Sequence, residues 1–398
     1  MCESGTANTT NRSKLASNER EAGMVWTRIT EGEDIQAKEL IDQMGYLEAL
    51  NWLRADEGRL SIDDKYTGAR KRWAARLNGA TLENDRRVID KLGGFLLPSD
   101  TLWPLGLSAL GPRSPLGLWF RGNIDVLASP SIAIVGTRDS SQYGTRIATD
   151  FAYELSRMGV AVVSGGAFGI DASAHMGALT AGGETVVVLA GGVDRPYPLR
   201  NEAIFQSVLE SGGLIVSEVP PGSSPHRHRF LARNRIIAGM TRATLVVEAP
   251  YRSGAINTAR HALEIGREVG AVPGPLTSVR SAGCHRLLRE NATCITSVAE
   301  AVELLGYTPI SAGVQTELDV TRSRMDGDDG GQSPHPISLR VRDALPVTRG
   351  STLQKVAATA GLSIQETLGC LGRLEMEGIA ESRDGKWRLA ENRRRSPS

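Results

Sequence analysis

No apolar run in this 398-residue sequence approaches the roughly 18 to 20 residues that cross a bilayer, which excludes a helical membrane protein. Nor does it open on a charged-then-apolar signal pattern: Met1 to Met24 is mostly polar, and a non-secreted protein is expected. Cysteine is scarce. Cys2, Cys284, Cys294 and Cys370 lie far apart with no CxxC pair. That spacing excludes a disulfide framework and a typical zinc site, and it suits a reducing cytoplasm. Neither sign of charge prevails: 46 basic residues face 45 acidic ones, so the net charge of +1 speaks neither for nor against a polyanionic partner. Lysine is absent between Ser131 and Gly306, a stretch with 16 Arg and 15 Asp plus Glu. Arginine's planar fork pairs with phosphate and stacks on bases, where lysine is a point charge. Arginine exceeds lysine elsewhere too, as a GC-rich genome would give, so the positions of the arginines carry more than their number.

What is present is a globular composition, 40% hydrophobic and 23% charged, long enough for two or three domains at about 150 residues each. Residues 1–24, rich in Asn, Thr, Ser and Glu, read as a disordered tail. Residues 25–97 read as a small helical domain, with Ile35, Leu40, Ile41, Met44, Leu47 and Leu50 at helical spacing. A Pro- and Gly-bearing connector, Pro98 to Gly122, leads into a core that runs over 98–306. Apolar runs recur there at Ile132–Val135, Val160–Val163, Thr185–Leu189, Gly213–Val216, Ala243–Val247 and Val269–Val272, each followed by a loop and a helical stretch. Continuous rather than alternating runs are what strands buried on both faces require. The fold class expected is α/β, a Rossmann-like doubly wound, mostly parallel sheet, with the N-terminal helical domain before it. Residues 307–336, rich in Asp and Gly, read as a flexible linker. Over 337–392, Ser351 with Gln354 and Ser363 with Glu366 fit capping boxes, and Ile364, Leu368, Leu371 and Leu374 share a face of the second helix. A hairpin turning at Asp384-Gly385, with Trp387 on its return strand, completes a C-terminal winged helix.

In an open parallel sheet, ligands bind beyond the carboxyl ends of the strands, so those loops carry the function. The first has Gly136 for a tight turn, Arg138, and a helix start that offers free N–H groups to an anion. The second, Ser164-Gly165-Gly166-Ala167-Phe168-Gly169-Ile170-Asp171, permits close backbone approach and has Asp171 as a helix N-cap. It is not GxGxxG and lacks the ribose-binding acid, so no dinucleotide cofactor is expected. Arg195, Arg200 and Asn201 come from the third loop. The fourth is the most basic, with Arg227, Arg229, Arg233, Asn234 and Arg235, where phosphate binding outweighs a solvated face. His226 and His228 have no Cys or carboxylate companion, so they read as loop histidines rather than metal ligands. Ser253-Gly254 opens another anion-friendly helix, and Glu248 reads as a partner for a nearby arginine. No catalytic triad can be assembled, and Cys284-His285 is not one.

Together these loops resemble the DNA-processing protein A family, DprA or Smf. The likeness rests on Val135-Gly-Thr-Arg138 with Tyr143-Gly144, Ser164-Gly with Gly169-Ile-Asp-Ala-Ser-Ala-His175, Tyr197-Pro with Asn201, and Ser217-Glu218. It continues through Arg233-Asn-Arg-Ile-Ile-Ala-Gly239, Glu248-Ala with Ser253-Gly254, Gly266-Arg267, Ala271-Val-Pro-Gly274 and Gly283-Cys284, covering roughly Trp103 to Gly306. The resemblance implies a non-enzymatic mediator that binds single-stranded DNA without strong sequence preference, protects it and loads the RecA recombinase. Natural transformation or recombination is the implied setting, and a homodimer formed through the core is implied as well. It puts the family's Gly-x-Arg arginine on Arg138, its Arg-Asn-Arg element on Arg233, Asn234 and Arg235, and a pocket-lining basic residue on Arg200. The chain departs from the pattern at Phe168, where the family often has Arg, at His285 and at Ala255.

The rival reading is a nucleotide-processing enzyme of phosphoribohydrolase type on a related Rossmann-like fold. Its Pro-Gly-Gly-x-Gly-Thr-x-x-Glu motif has no match, the corresponding stretch being Tyr251-Arg-Ser-Gly-Ala-Ile-Asn-Thr-Ala259. A third reading makes the winged helix the DNA reader. Its second helix, Ile364 to Glu377, has Arg373 as its one basic residue among Glu366, Glu375 and Glu377, which favours a protein contact.

Overall fold

The computed structural model describes residues 16–55, 64–77, 82–306, 341–342, 344–346, 350–376, 379–383 and 385–390. The expected linker, 307–336, and the first fifteen residues of the expected tail lie outside them. The chain divides into two units, 1–310 and 311–398.

The first unit is built on a nine-stranded sheet. In chain order the strands are β1 (Gly93–Leu96), β2 (Leu118–Gly122), β3 (Ser131–Val135), β4 (Ala161–Ser164), β5 (Thr185–Leu189), β6 (Leu214–Ser217), β7 (Ala243–Val246), β8 (Glu268–Ala271) and β9 (Thr293–Cys294). Their spatial order is β1-β2-β6-β5-β4-β3-β7-β8-β9. From β6 to β9 the pairing is parallel, and all six apolar runs became strands of this stretch. β1 and β2 extend the sheet antiparallel. Gly93-Gly94-Phe95-Leu96 has no apolar run and β2 fell in the expected connector, so both strands were hidden in sequence.

Each strand between β6 and β7 is buried on both sides. Ala133, Val135, Val163, Val186 and Val188 face α9 (Arg227–Met240) and α10 (Gly254–Glu264). Ile132, Ile134, Val162 and Leu245 face the opposite layer, α6 (Gln142–Arg157) and α7 (Ile170–Thr180). α6 shows why these stretches are helical: Ser141 caps it by accepting from the Gly144 N–H at 3.1 Å, and Ala148, Phe151, Ala152 and Leu155 form its buried stripe.

On that layer, beside α8 (Glu202–Glu210), lie the N-terminal helices: α1 (Glu19–Ile29), α2 (Ile35–Met44), α3 (Tyr46–Arg54), α4 (Thr67–Leu77) and α5 (Glu83–Leu92). α1 begins inside the expected tail, because Asn18 caps it and its Ala22, Met24, Val25 and Trp26 are buried. Gly45, with φ at +85°, separates α2 from α3 where the apolar periodicity suggested one continuous pattern. Trp26 meets Trp73 edge-on at 5.2 Å, and the Trp119 Nε1–H of β2 donates to the Thr27 hydroxyl at 3.1 Å. Val187, Leu189, Phe205 and Ile215 from the sheet layer complete the same core. Among the described residues no helix is long and apolar enough to cross a membrane.

The second unit has helices at Leu353–Ala360 and Ile364–Met376 and a small sheet in which Lys386–Leu389 pairs with Ser351–Thr352 and with Ala380–Arg383. The hairpin pairs Arg383 with Lys386, the register of the expected two-residue turn. Two expectations change. The first helix starts at Leu353 after Thr352, with Ser351 in a strand, so the Ser351–Gln354 capping box does not form. Leu371 and Leu374 are buried with Cys370, whereas Ile364 and Leu368 are exposed, so the four do not share one buried face.

Candidate nucleic-acid interface

Because β3 to β8 run parallel, the loops that follow them meet at one edge of the sheet. The chain winds from β3 through β4 and β5 to β6 in one direction, then returns to place β7 on the other side of β3. This leaves a switch point between β3 and β7, where the diverging connections open a crevice.

An inner layer of side chains at this edge supports the loops. The Glu248 carboxylate accepts from the Ser141 N–H at 2.9 Å and the Ser141 hydroxyl at 2.6 Å, while the Thr137 N–H donates to the Glu248 carbonyl at 2.7 Å. Glu248 therefore holds the start of α6, in place of the arginine partner expected from sequence. Gly136 and Gly144 are obligatory here, since a Cβ at either would overlap Ile170 or the Glu248 carboxylate. In the next loop the cap of α7 is Gly169, not Asp171. Asp171 sits one residue inside the helix and turns back to accept from the N–H groups of Gly165 at 3.2 Å and Ala167 at 3.4 Å. Ser164 is fully buried and donates to the Ile134 carbonyl at 2.7 Å. Gly165 leaves room for the Arg233 guanidinium, and Gly166, at φ +66°, packs on Phe205. Asn201 Nδ2 donates to the carbonyls of Gly166 and Ala167 at 2.9 and 3.2 Å, and Asn234 Nδ2 to the Gly254 carbonyl at 3.2 Å.

Arg233 belongs to this inner layer. Its Nη1 donates to the Gly165 carbonyl at 2.9 Å and to the Val188 carbonyl. Burial draws its guanidinium down to about 10, with Asp171 opposing the fall and Arg138 adding to it, so it stays charged at neutral pH. Burial likewise pushes Asp171 up, against the pull of Arg233. Arg235 points elsewhere. It is wholly enclosed, with its guanidinium on Glu218 at 2.5 and 3.0 Å and on the Arg113 carbonyl at 2.7 Å. A guanidinium so consumed takes no phosphate, and Arg235 and Ser164 leave the set expected from sequence.

The outer layer is different. Arg138 is exposed and stands 5.0 Å from the centre of the Phe230 ring. Phe230 meets Tyr197 edge-on at 6.0 Å, and Tyr197 is 47% exposed. Arg200 and Phe168 are exposed on neighbouring loops, and Ser253 caps α10 with Gly254 open to solvent. Three loops and the start of α9 thus combine free guanidinium groups with accessible rings, the pairing that holds unstacked bases and their phosphates. Phe230 and Tyr197 lie outside the contact set expected from sequence; an aromatic three residues before Arg233 and another opening the Tyr-Pro stretch were the available signals. Arg229 is closer to neutralised, for Glu31 of the α1–α2 turn grips it at 3.0 Å twice and the Ser224 carbonyl accepts a third bond at 3.0 Å. Burial raises Glu31, but Arg229, His228 and Arg76 outweigh it and hold the carboxyl below its usual range. His226 stacks on His228 at 5.8 Å, and no group of three metal-ligating side chains occurs among the described residues. Cys284 is buried and pushed up to about 12 by that burial, which suits packing and not nucleophilic attack.

The family model described as DNA recombination-mediator protein A matches residues 94–306. A putative DNA processing protein DprA of Mycobacterium tuberculosis is 39% identical over 380 residues, 91% of this chain and 92% of that one. The chain belongs to the DprA/Smf family. Within that family, the DNA processing protein DprA of Streptococcus pneumoniae is 40% identical over half of this chain. The X-ray structure of DprA from that organism superposes with a TM-score of 0.59 at 30% identity, covering 73% of this chain and 98% of the other. The DprA/Smf match spans the whole carboxyl edge just described, from β3 to α11 (Ala282–Arg289).

Proposed function

We propose that the chain binds single-stranded DNA with little sequence preference, protects the strand and loads RecA on it, in DNA uptake by natural transformation or in recombination. The observation that carries this reading is the exposed Arg138 above Phe230, next to Tyr197, at the switch-point edge. The contacts proposed are Arg138 and Arg200 on phosphates, Phe230 and Tyr197 on bases, and the N–H groups at Gly136 and at Ser253-Gly254 on the backbone. Gly165, Gly166, Asn201, Arg233 and Asn234 hold the loops that present them. The family's description as a recombination mediator supports the RecA partnership and a non-enzymatic role. A homodimer, a cytoplasmic location and a winged-helix second unit belong to the same proposal.

The test is fluorescence anisotropy of a labelled oligonucleotide, single- against double-stranded, with the parent chain and Arg138→Ala/Phe230→Ala. The double variant is expected to lose the single-strand preference. With about four phosphate contacts the log–log salt slope of the parent is expected near −3, from about −0.7 per contact on single strands. A slope near zero, or unchanged binding by the double variant, would sink the assignment of this edge. Release of free base from a nucleotide would favour the phosphoribohydrolase reading instead.

A further inference from the structure

Beyond the switch point, on the β7–β8 side of the same edge, a second pairing of ring and guanidinium has no place in the contacts above. Tyr251, in the loop between β7 and α10, is 55% exposed, and the Arg286 guanidinium of α11 lies 4.9 Å from its ring centre. Arg286 is held there by Glu290, whose carboxylate accepts from its Nε at 2.7 Å. The neighbouring Arg252 is exposed, and Leu276 and Val279 on the following loop are 91% and 76% exposed.

This patch is fixed to the first one by the backbone. The Gly283 N–H donates to the Ala249 carbonyl at 2.7 Å, and a Cβ at Gly283 would overlap the Ala249 and Pro250 carbonyls, so α11 is locked against the Tyr251 loop. Arg280, at the far side of the patch, donates from Nε to the Asp139 carbonyl at 2.6 Å, which ties the β8 loop to the residue after Arg138. The open start of α10 at Ser253-Gly254 lies in the same loop as Tyr251.

We propose that Tyr251, backed by Arg286 and flanked by Arg252, is a second base-stacking station for single-stranded DNA, engaged by the part of the strand that continues past the Arg138–Phe230 pocket. The inference rests on the single-strand reading above and extends it. A guanidinium on one face of the ring leaves the other face for a base, and stacking of this kind tolerates every base. Arg252 adds one phosphate contact to the longer strand. Strand length therefore sets whether this station contributes.

The experiment measures Kd for oligothymidines graded in length, with the parent chain, Tyr251→Ala, Tyr251→Phe and Arg138→Ala. Tyr251→Ala is expected to weaken the longer strands about ten-fold and to leave the shortest that binds unchanged, while Tyr251→Phe retains the parent values. Equal weakening at every length, or none at any length, overturns the second station. If Arg138→Ala still weakens all lengths in that case, the first pocket stands. If the parent chain binds no strand, both readings fall. Protection of Tyr251 by a protein partner but not by the long strand would also overturn it.

Discussion

Arg138, Arg233 and Arg235 come from similar basic motifs, yet they differ in what is left of them to offer. Arg138 has a free guanidinium over a ring, Arg233 has given one nitrogen to two carbonyls, and Arg235 is closed around Glu218. Removing one partner of a buried pair strands the other, so Arg235→Ala is expected to lower stability by about 3 to 5 kcal/mol. Arg138→Ala, at the surface, is expected to change it by no more than about 0.5 kcal/mol. Urea unfolding of the two variants beside their DNA affinities separates the roles: the first loses stability, the second loses binding alone. His175 gives a pH dependence at the same scale. Its Nδ1 pairs with the Thr185 hydroxyl at 2.8 Å, its Nε2 is buried with no partner, and burial, with Arg233 adding, lowers its pKa to about 3. An unfolded histidine takes a proton near pH 6.5, so below that value the unfolded chain binds a proton that the folded chain refuses. Stability then falls as the pH drops from 6.5 toward 3, by at most about 1.4 kcal/mol per pH unit from this residue. Comparing urea midpoints of the parent and His175→Gln at about pH 7.5 and about pH 5 checks this, since the variant should show the smaller drop.

At the scale of elements, the six apolar runs were legible because a strand buried on both faces must be apolar throughout, and that is how Ile132–Val135 and Thr185–Leu189 read. β1 and β2 were illegible for the converse reason: three glycines and a charged residue break up their apolar positions, and their burial comes from Trp119 and the distant helices. The carboxyl-edge loops could be located in sequence, but not the division of their residues into supports and contacts. Arg233 and Arg138 look alike until the fold buries one, and Phe230 gains its significance only from Arg138, far away in sequence. The outward turn of Ile364 and Leu368 was hidden likewise, since spacing alone puts them in line with Leu371 and Leu374. Glu248 illustrates an element held from outside itself, a β7-edge carboxylate closing the start of α6. Glu248→Ala is expected to cost about 1 to 2 kcal/mol by releasing Ser141, read as a lower thermal midpoint, with Gly144 left intact.

Over the whole first unit, the N-terminal helices and the sheet bury one set of side chains between them. A chain lacking residues 1–92 would leave Trp119, Val187, Leu189 and Ile215 with only the part of their cover that α8 supplies. Such a truncation is expected to bind a hydrophobic dye strongly and to aggregate, where a helical domain with a core of its own would detach cleanly. Dye fluorescence and light scattering of the truncated chain decide between these outcomes. The Glu31–Arg229 grip crosses the same boundary, joining residues 198 apart in the chain, and Thr27 and Trp119 meet across 92. That separation has a consequence in time. A ribosome delivers α1 long before β6 and α9, so Glu31 and the sheet-facing side of these helices wait for partners such as Arg229 and Ile215 after Trp26 has already met Trp73.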